Sequence, residues 1–234
     1  MELFPELLLI CLIGGIVSID IAAGWQVMVS QPIIACPVVG LVMGNLELGI
    51  VMGSLLELPW LIVIPTGGRH SSEANLGAVT ATALSIYLMG EQVNTENIII
   101  VVAIVYSLFI SLLGNHLVNF MRQTNLRLMY AADIAASQAD LSKITWLNTV
   151  GLIHAFLLGF LLVGFGVGIG WLILKPLVRF IHPTFDFAFG LARYAILGVG
   201  FGVVGTMFVT SETRWYAVLG MVLSTAGLIA IYAF

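Results

Sequence analysis

Charged side chains are scarce in this chain. They make up 9% of its 234 residues, against 60% hydrophobic, and the mean hydropathy is +1.11. Soluble domains carry about 25% charged residues, so a water-facing surface cannot be covered here. An all-α polytopic membrane protein is the class that remains. Basic clusters are missing too, and with a formal net charge of -4 nucleic-acid binding is excluded. The only two cysteines, Cys11 and Cys36, sit in separate apolar segments without metal-ligand spacing, and read as small buried thiols rather than a redox pair. His116, His154 and His182 share no spacing suited to a metal, so neither metal nor cofactor is expected. The opening residues MELFPE lack the basic stretch of a secretory signal, and no small-residue cleavage site follows. Leu7 to Ile19 is therefore read as a retained first span. No motif of an intramembrane protease or lipid enzyme occurs, so no catalytic residue is expected on this chain alone.

Apolar segments are plentiful but uneven, and the unevenness carries information. A spanning helix needs about 20 apolar residues. Pro32 to Met43, closed by Gly44-Asn45, is too short to cross unaided, which predicts a broken or re-entrant helix; Leu76 to Met89 is short as well. Ile98 to Val118, Trp146 to Leu174 and Trp215 to Phe234 read as full spans, and no soluble domain or tail is expected beyond the last. Residues 122–145, RQTNLRLMYAADIAASQADLSKIT, form the one long hydrophilic interruption. They read as an interfacial helix or loop joining approximate halves 1–121 and 146–234 of a single transport domain. Each half pairs a short glycine-rich segment with a polar interruption, the pointer to an inverted structural repeat. Arg122, Arg127 and Lys143 flank one end of the long span, and Lys175 and Arg179 the other, so the positive-inside rule does not choose an orientation.

Functional candidates concentrate between Gln31 and Ala78. Gly49, Gly53 and Glu57 are spaced i, i+4, i+8, which puts the acid in line with two glycines that admit another backbone. Glu57 should face protein or a cavity, because a charge at mid-bilayer costs at least ~2.5 kcal/mol and is by default a functional candidate. Pro59 and Pro65 then break the helix. The polar stretch 65–75, PTGGRHSSEAN, offers Arg69, His70 and Glu73, which can bind a ligand or, for Arg69 with Glu73, pair with each other. Irregular backbone at membrane depth is tolerated only where it is buried in protein or lines a cavity. Asn45 caps or turns after Gly44, or contacts substrate. Gln26, beside Trp25, is a further candidate for lining a ligand pocket. Asp186 and Arg193 lie seven residues apart, on one helical side, and are expected to pair with each other.

The residues Gln31-Pro32, Val39-Gly40, Gly44-Asn45, Gly49, Gly53-Ser54 and Leu56-Glu57-Leu58 resemble the membrane subunit IIC of the mannose/fructose/sorbose family of the bacterial sugar phosphotransferase system. That family reads R-P, V-G, G-D and a glycine-rich helix ending T-L-E. Its later G-x-x-x-x-P-D-A pattern falls on Gly67, Glu73 and Ala74. Departures are Gln31 for arginine, Asn45 for aspartate, and no Gly-Trp before the polar stretch. The resemblance implies a multi-pass inner-membrane protein that works with a membrane subunit IID and soluble subunits IIA and IIB as a hetero-oligomer, importing a hexose-type sugar phosphorylated from phosphohistidine on IIB. It places the sugar-binding glutamate on Glu57; Glu73, Asn45, Gln26, Arg69 and His70 join it as substrate-binding candidates from the reading of the residues themselves, Arg69 and His70 being further departures from the family pattern. Two other readings stay open: a non-transporting scaffold or sensor for phosphotransferase proteins, and a secondary transporter of a small polar solute.

Overall fold

The computed structural model describes residues 3–24, 26–60, 74–90, 95–208, 210, 212–216, 218–220 and 222–223. Among the described residues there are helices and no strands: α1 Leu3–Ala22, α2 Pro32–Val42, α3 Leu46–Trp60, α4 Ala74–Met89, α5 Glu96–Ser137, α6 Leu141–Phe180, a 3-10 turn Pro183–Phe185, and α7 Asp186–Phe208. α1, α5, α6 and residues 183–206 are long and apolar enough to cross a membrane, whereas α2 and α4 are shorter. The segment from Trp215 onward, read as a last span, lies mostly outside the described residues.

α4 is the centre. Every residue from Leu76 to Leu88 is buried, with α5 and α6 on one side, α2 and α3 on another, and α1 beyond. A helix apolar all round is one that neighbours enclose completely. Two of its hydroxyls bond back within the helix, Thr80 Oγ1 to the Leu76 carbonyl at 2.8 Å and Thr82 Oγ1 to that of Ala78 at 2.9 Å, while Ser85 Oγ reaches Met52 Sδ of α3 at 3.9 Å and the Tyr87 hydroxyl is buried without a hydrogen-bond partner. Cys11 and Cys36 are both free and buried. α1 lies against α6, and a Cβ on Gly14 would stand 2.9 Å from the Gly159 carbonyl, so the two backbones touch.

Residues 122–145 are not a separate interfacial element. α5 runs unbroken for 42 residues and α6 for 40, about 63 and 60 Å at 1.5 Å per residue, twice the ~30 Å hydrocarbon core. The reason is local: no glycine or proline occurs between Asn115 and Ser137, so nothing stops the helix. On the inner side of the hairpin Leu128, Met129 and Ala132 of α5 line a cavity together with Ile144, Leu147 and Gly151 of α6. Only Gln138 to Asp140 make the turn, with Ala139 left-handed at φ 55° and Asp140 capping α6 through the Lys143 N–H at 3.0 Å. Exposed apolar side chains line α5 from Val105 to Phe120 and recur beyond Arg122 at Leu126, Met129, Tyr130 and Ile134, where Arg122, Arg127 and Asp133 stand among them. Standing upright, helices of this length extend beyond the hydrocarbon core by about half their length. The last turn of α1, Ala22, sits at the base of the hairpin tip beside Asn125 and Gly151, and the start of α5 meets the start of α7 at the opposite end of the molecule.

Candidate functional site

α2 and α3 form a tight antiparallel hairpin. Its turn is Gly44, whose φ of 75° suits glycine, followed by Asn45. The Asn45 N–H donates to the Gly40 carbonyl at 2.7 Å, and its Oδ1 accepts from the Leu48 N–H at 3.1 Å. Asn45 is thus the N-cap of α3. The glycine line predicted from spacing is the seam of this hairpin. A Cβ on Gly49 would meet the Cys36 carbonyl at 2.7 Å and Gly40 Cα at 3.0 Å, and one on Gly53 the Pro32 carbonyl at 2.8 Å. At 11 residues, about 16 Å long, α2 reaches only partway across a bilayer, as its length predicts for a re-entrant element.

The next position on the seam is Glu57. Its Oε2 accepts the Ile33 N–H at 3.0 Å, the second residue of α2. Gln31, at the N-cap position of α2, supplies no side-chain cap. Glu57 does so from across the hairpin, where an anion also meets the positive end of the helix dipole. The side chain is half-buried, and Oε2 is fixed while Oε1 keeps its capacity to accept.

A second carboxylate, which the sequence reading passed over, grips the same stretch from α1. Asp20 is buried, 2% exposed; its Oδ1 accepts from the Val27 N–H at 2.8 Å and its Oδ2 from the Ser30 N–H at 3.0 Å. The available signal was an acid closing an apolar run, the same signal that marks Glu57; its place at the edge of a polar segment made it read as a boundary. Between the two carboxylates the backbone adopts left-handed geometry at two non-glycine residues, Gln26 (φ 52°) and Met28 (φ 66°). Gln26 is exposed in this connection, which the Asp20 and Glu57 bonds tie to the start of α2.

Of the sequence candidates, Glu57 and Gln26 fall at the same end of the hairpin. Asn45 lies twelve residues before Glu57 on α3, about 18 Å away, and its carboxamide oxygen is occupied by the cap. Arg69, His70, Glu73, Trp25 and Pro65 lie outside the described residues. His154 Nδ1 pairs with Asn125 Oδ1 at 2.7 Å and His182 Nδ1 with Thr184 Oγ1 at 2.7 Å. Among the described residues no three His, Cys, Asp or Glu converge as metal ligands.

The opposite face of α3 lines a cavity of about 500 Å³ with Val51, Ser54 and Leu55, across from Asn97, Arg193 and Tyr194. Here the expected pairing of Asp186 with Arg193 runs through a mediator. Asn97 Nδ2 donates to Asp186 Oδ2 at 2.7 Å, and Arg193 Nη1 donates to Asn97 Oδ1 at 2.6 Å and stands 3.5 Å from Glu96. Asp186 Oδ1 also accepts the Ile98 N–H at 3.1 Å, so it caps α5. Seven residues put both charges on one side of α7, and that side faces the N-terminus of α5, where an amide bridges them.

A family model described as the sorbose-specific IIC component of a PTS system matches residues 4–234. The PTS system sorbose-specific EIIC component of Klebsiella pneumoniae is 32% identical over 129 residues, 55% of this chain and 43% of that protein; the matched stretch is thus under half of that relative's length. A solved structure described as that of a membrane protein superposes with a TM-score of 0.73 at 24% identity, covering 98% of this chain and 93% of the other. One of the mannose transporter ManYZ with microcin E492 gives 0.59 at 24% identity, covering 98% and 92%. Both establish a shared membrane-protein fold.

Proposed function

Because the chain belongs to the family of sorbose-specific IIC components of phosphotransferase systems, integral proteins of the inner membrane, we propose that it is the sugar-translocating subunit of a phosphoenolpyruvate-dependent system. It carries a hexose-type sugar together with a IID membrane subunit, and a soluble IIB subunit phosphorylates that sugar. The observation that carries this reading is the Glu57 carboxylate, held by the Ile33 N–H at the open end of the re-entrant hairpin. A carboxylate oriented through one oxygen accepts sugar hydroxyls through the other, and such charge-assisted bonds are roughly twice as strong as neutral ones. In the transfer step a sugar hydroxyl oxygen bonds phosphorus as the phosphorus–nitrogen bond to the IIB histidine breaks; the imidazole nitrogen leaves with that electron pair and takes up the hydroxyl proton. This chain positions the hydroxyl and excludes competitors.

The asparagine at position 45 fits this reading: asparagine and aspartate cap helices equally well, so the family's aspartate is replaced without loss of the α2–α3 turn. The test uses membrane vesicles holding this chain with its IID subunit, phosphorylated IIB and a panel of radiolabelled hexoses. Sugar phosphate should form from at least one of them, and Glu57→Gln, which keeps an acceptor for Ile33, should cut its formation about 10- to 100-fold, as loss of a hydrogen bond to a charged group of about 1.5–3 kcal/mol requires. No product from any sugar in a stable complex would sink the transport reading and leave the scaffold.

A further inference from the structure

We infer that Asp20 is a positioning residue for the sugar site, a role that rests on the reading of Glu57 as a sugar ligand. Two carboxylates from two helices hold one stretch of backbone. Asp20 of α1 takes the Val27 and Ser30 N–H groups at 2.8 and 3.0 Å, and Glu57 of α3 takes the Ile33 N–H at 3.0 Å. The Ile33 amide is what orients Glu57, and its own position follows from the chain that leads into α2. Within itself that chain has the Gln26 N–H bond to the Gly24 carbonyl at 2.8 Å and the Gln31 N–H bond to the Met28 carbonyl at 3.1 Å. It passes through left-handed Gln26 and Met28, conformations that persist for non-glycine residues only where surroundings over-determine them.

Asp20 supplies that determination with both oxygens. Buried at 2% exposure, it has no access to the sugar and acts through the backbone between residues 27 and 33. Its chemistry explains the choice of residue. Two N–H groups three residues apart need two acceptor oxygens on one short side chain, which aspartate offers and asparagine does not. Sugar bound at Glu57 therefore meets a carboxylate whose backbone anchor at Ile33 is set in place from α1.

The test is kinetic, in the complex with IID and phosphorylated IIB. Asp20→Asn leaves one oxygen for two donors, so the KM for sugar should rise about tenfold, the worth of one such hydrogen bond, with kcat within about twofold. Asp133→Asn, an exposed acid on the α5–α6 hairpin, should change neither. A general folding defect would lower the amount of inserted complex instead of splitting KM from kcat. Unchanged KM in inserted complex, or a fall in kcat alone, overturns the assignment. If Asp20→Asn does not insert, the wild type decides: amide hydrogen exchange across residues 27–33 should slow at least about threefold when transported sugar binds, reporting closure of this local unit. No slowing overturns it. A wild-type complex that phosphorylates no sugar overturns the transport reading, and the Asp20 assignment falls with it; a working complex with an unmoved KM overturns the Asp20 assignment alone.

Discussion

A single methyl group added to the hairpin seam tests how α2 and α3 are held. In Gly49→Ala the new Cβ would lie 2.7 Å from the Cys36 carbonyl, 3.0 Å from Gly40 Cα and 3.1 Å from Pro37 Cα, whereas ordinary contact begins at 3.4 Å. All three neighbours are backbone, so no rotamer change relieves the overlap, and the helices must separate by roughly 0.7 Å. Overpacking of this kind costs about 1–3 kcal/mol, a fall of roughly 3–10 °C in the unfolding midpoint for a chain of this size. The separation acts at Glu57 as well, two turns along the same seam. Its 3.0 Å bond to Ile33 would lengthen toward 3.7 Å, past the range of a hydrogen bond. The expected result is therefore twofold: a lower midpoint in thermal unfolding of the reconstituted protein, and sugar phosphorylation reduced at least about tenfold even below that midpoint. Gly168→Ala is the control, since no atom lies within 4 Å of its Cβ position, and it should be neutral or slightly stabilising. A Gly49→Ala protein with the wild-type midpoint would refute the close packing of α2 on α3.

Other expectations follow from the caps, the bridge and the long hairpin. Asn45→Asp should leave stability unchanged while Asn45→Ala loses about 1 kcal/mol, read by thermal unfolding; equal losses would mean that the α3 cap is not the residue's role. Asn97→Ala removes the mediator between Asp186 and Arg193, and a double-mutant cycle with Asp186→Ala should give a coupling of at least about 0.5 kcal/mol; strict additivity would deny the bridge. A cysteine at Asp133 should react quickly with a membrane-impermeant maleimide in opened vesicles, and one at Leu112, on the exposed apolar run of α5, should not; equal rates would put the hairpin tip in the lipid. Leu128→Pro should lower stability by about 3 kcal/mol by breaking α5 in its second half, and an unchanged midpoint would contradict a continuous helix.

What the sequence by itself determined was governed by local rules. Composition alone required a helical membrane protein, because 9% charge cannot clothe a soluble fold. The short apolar stretch after Pro32 predicted a helix too short to cross unaided, and α2 is 11 residues long; the i, i+4, i+8 spacing of Gly49, Gly53 and Glu57 required a close backbone neighbour on that face, because helical periodicity is a property of adjacent residues. The family resemblance pointed to the same glutamate. Which backbone lies against those glycines was decided only in three dimensions, where it proved to be α2, and with it that Glu57 caps Ile33. The same holds for Asp20, whose donors lie seven and ten residues away through left-handed turns that no periodicity encodes. Residues 122–145 show the converse: an amphipathic polar segment satisfies the rules for an interfacial helix and for half of a helical hairpin alike, and only the presence of α6 alongside selects the second. Asp186 and Arg193 share a side of α7 by periodicity, yet their partner is Asn97, placed there by the packing of α5 on α7. Contacts between elements depend on which surfaces meet, and a hydrogen bond between distant residues leaves no trace in the order of the chain.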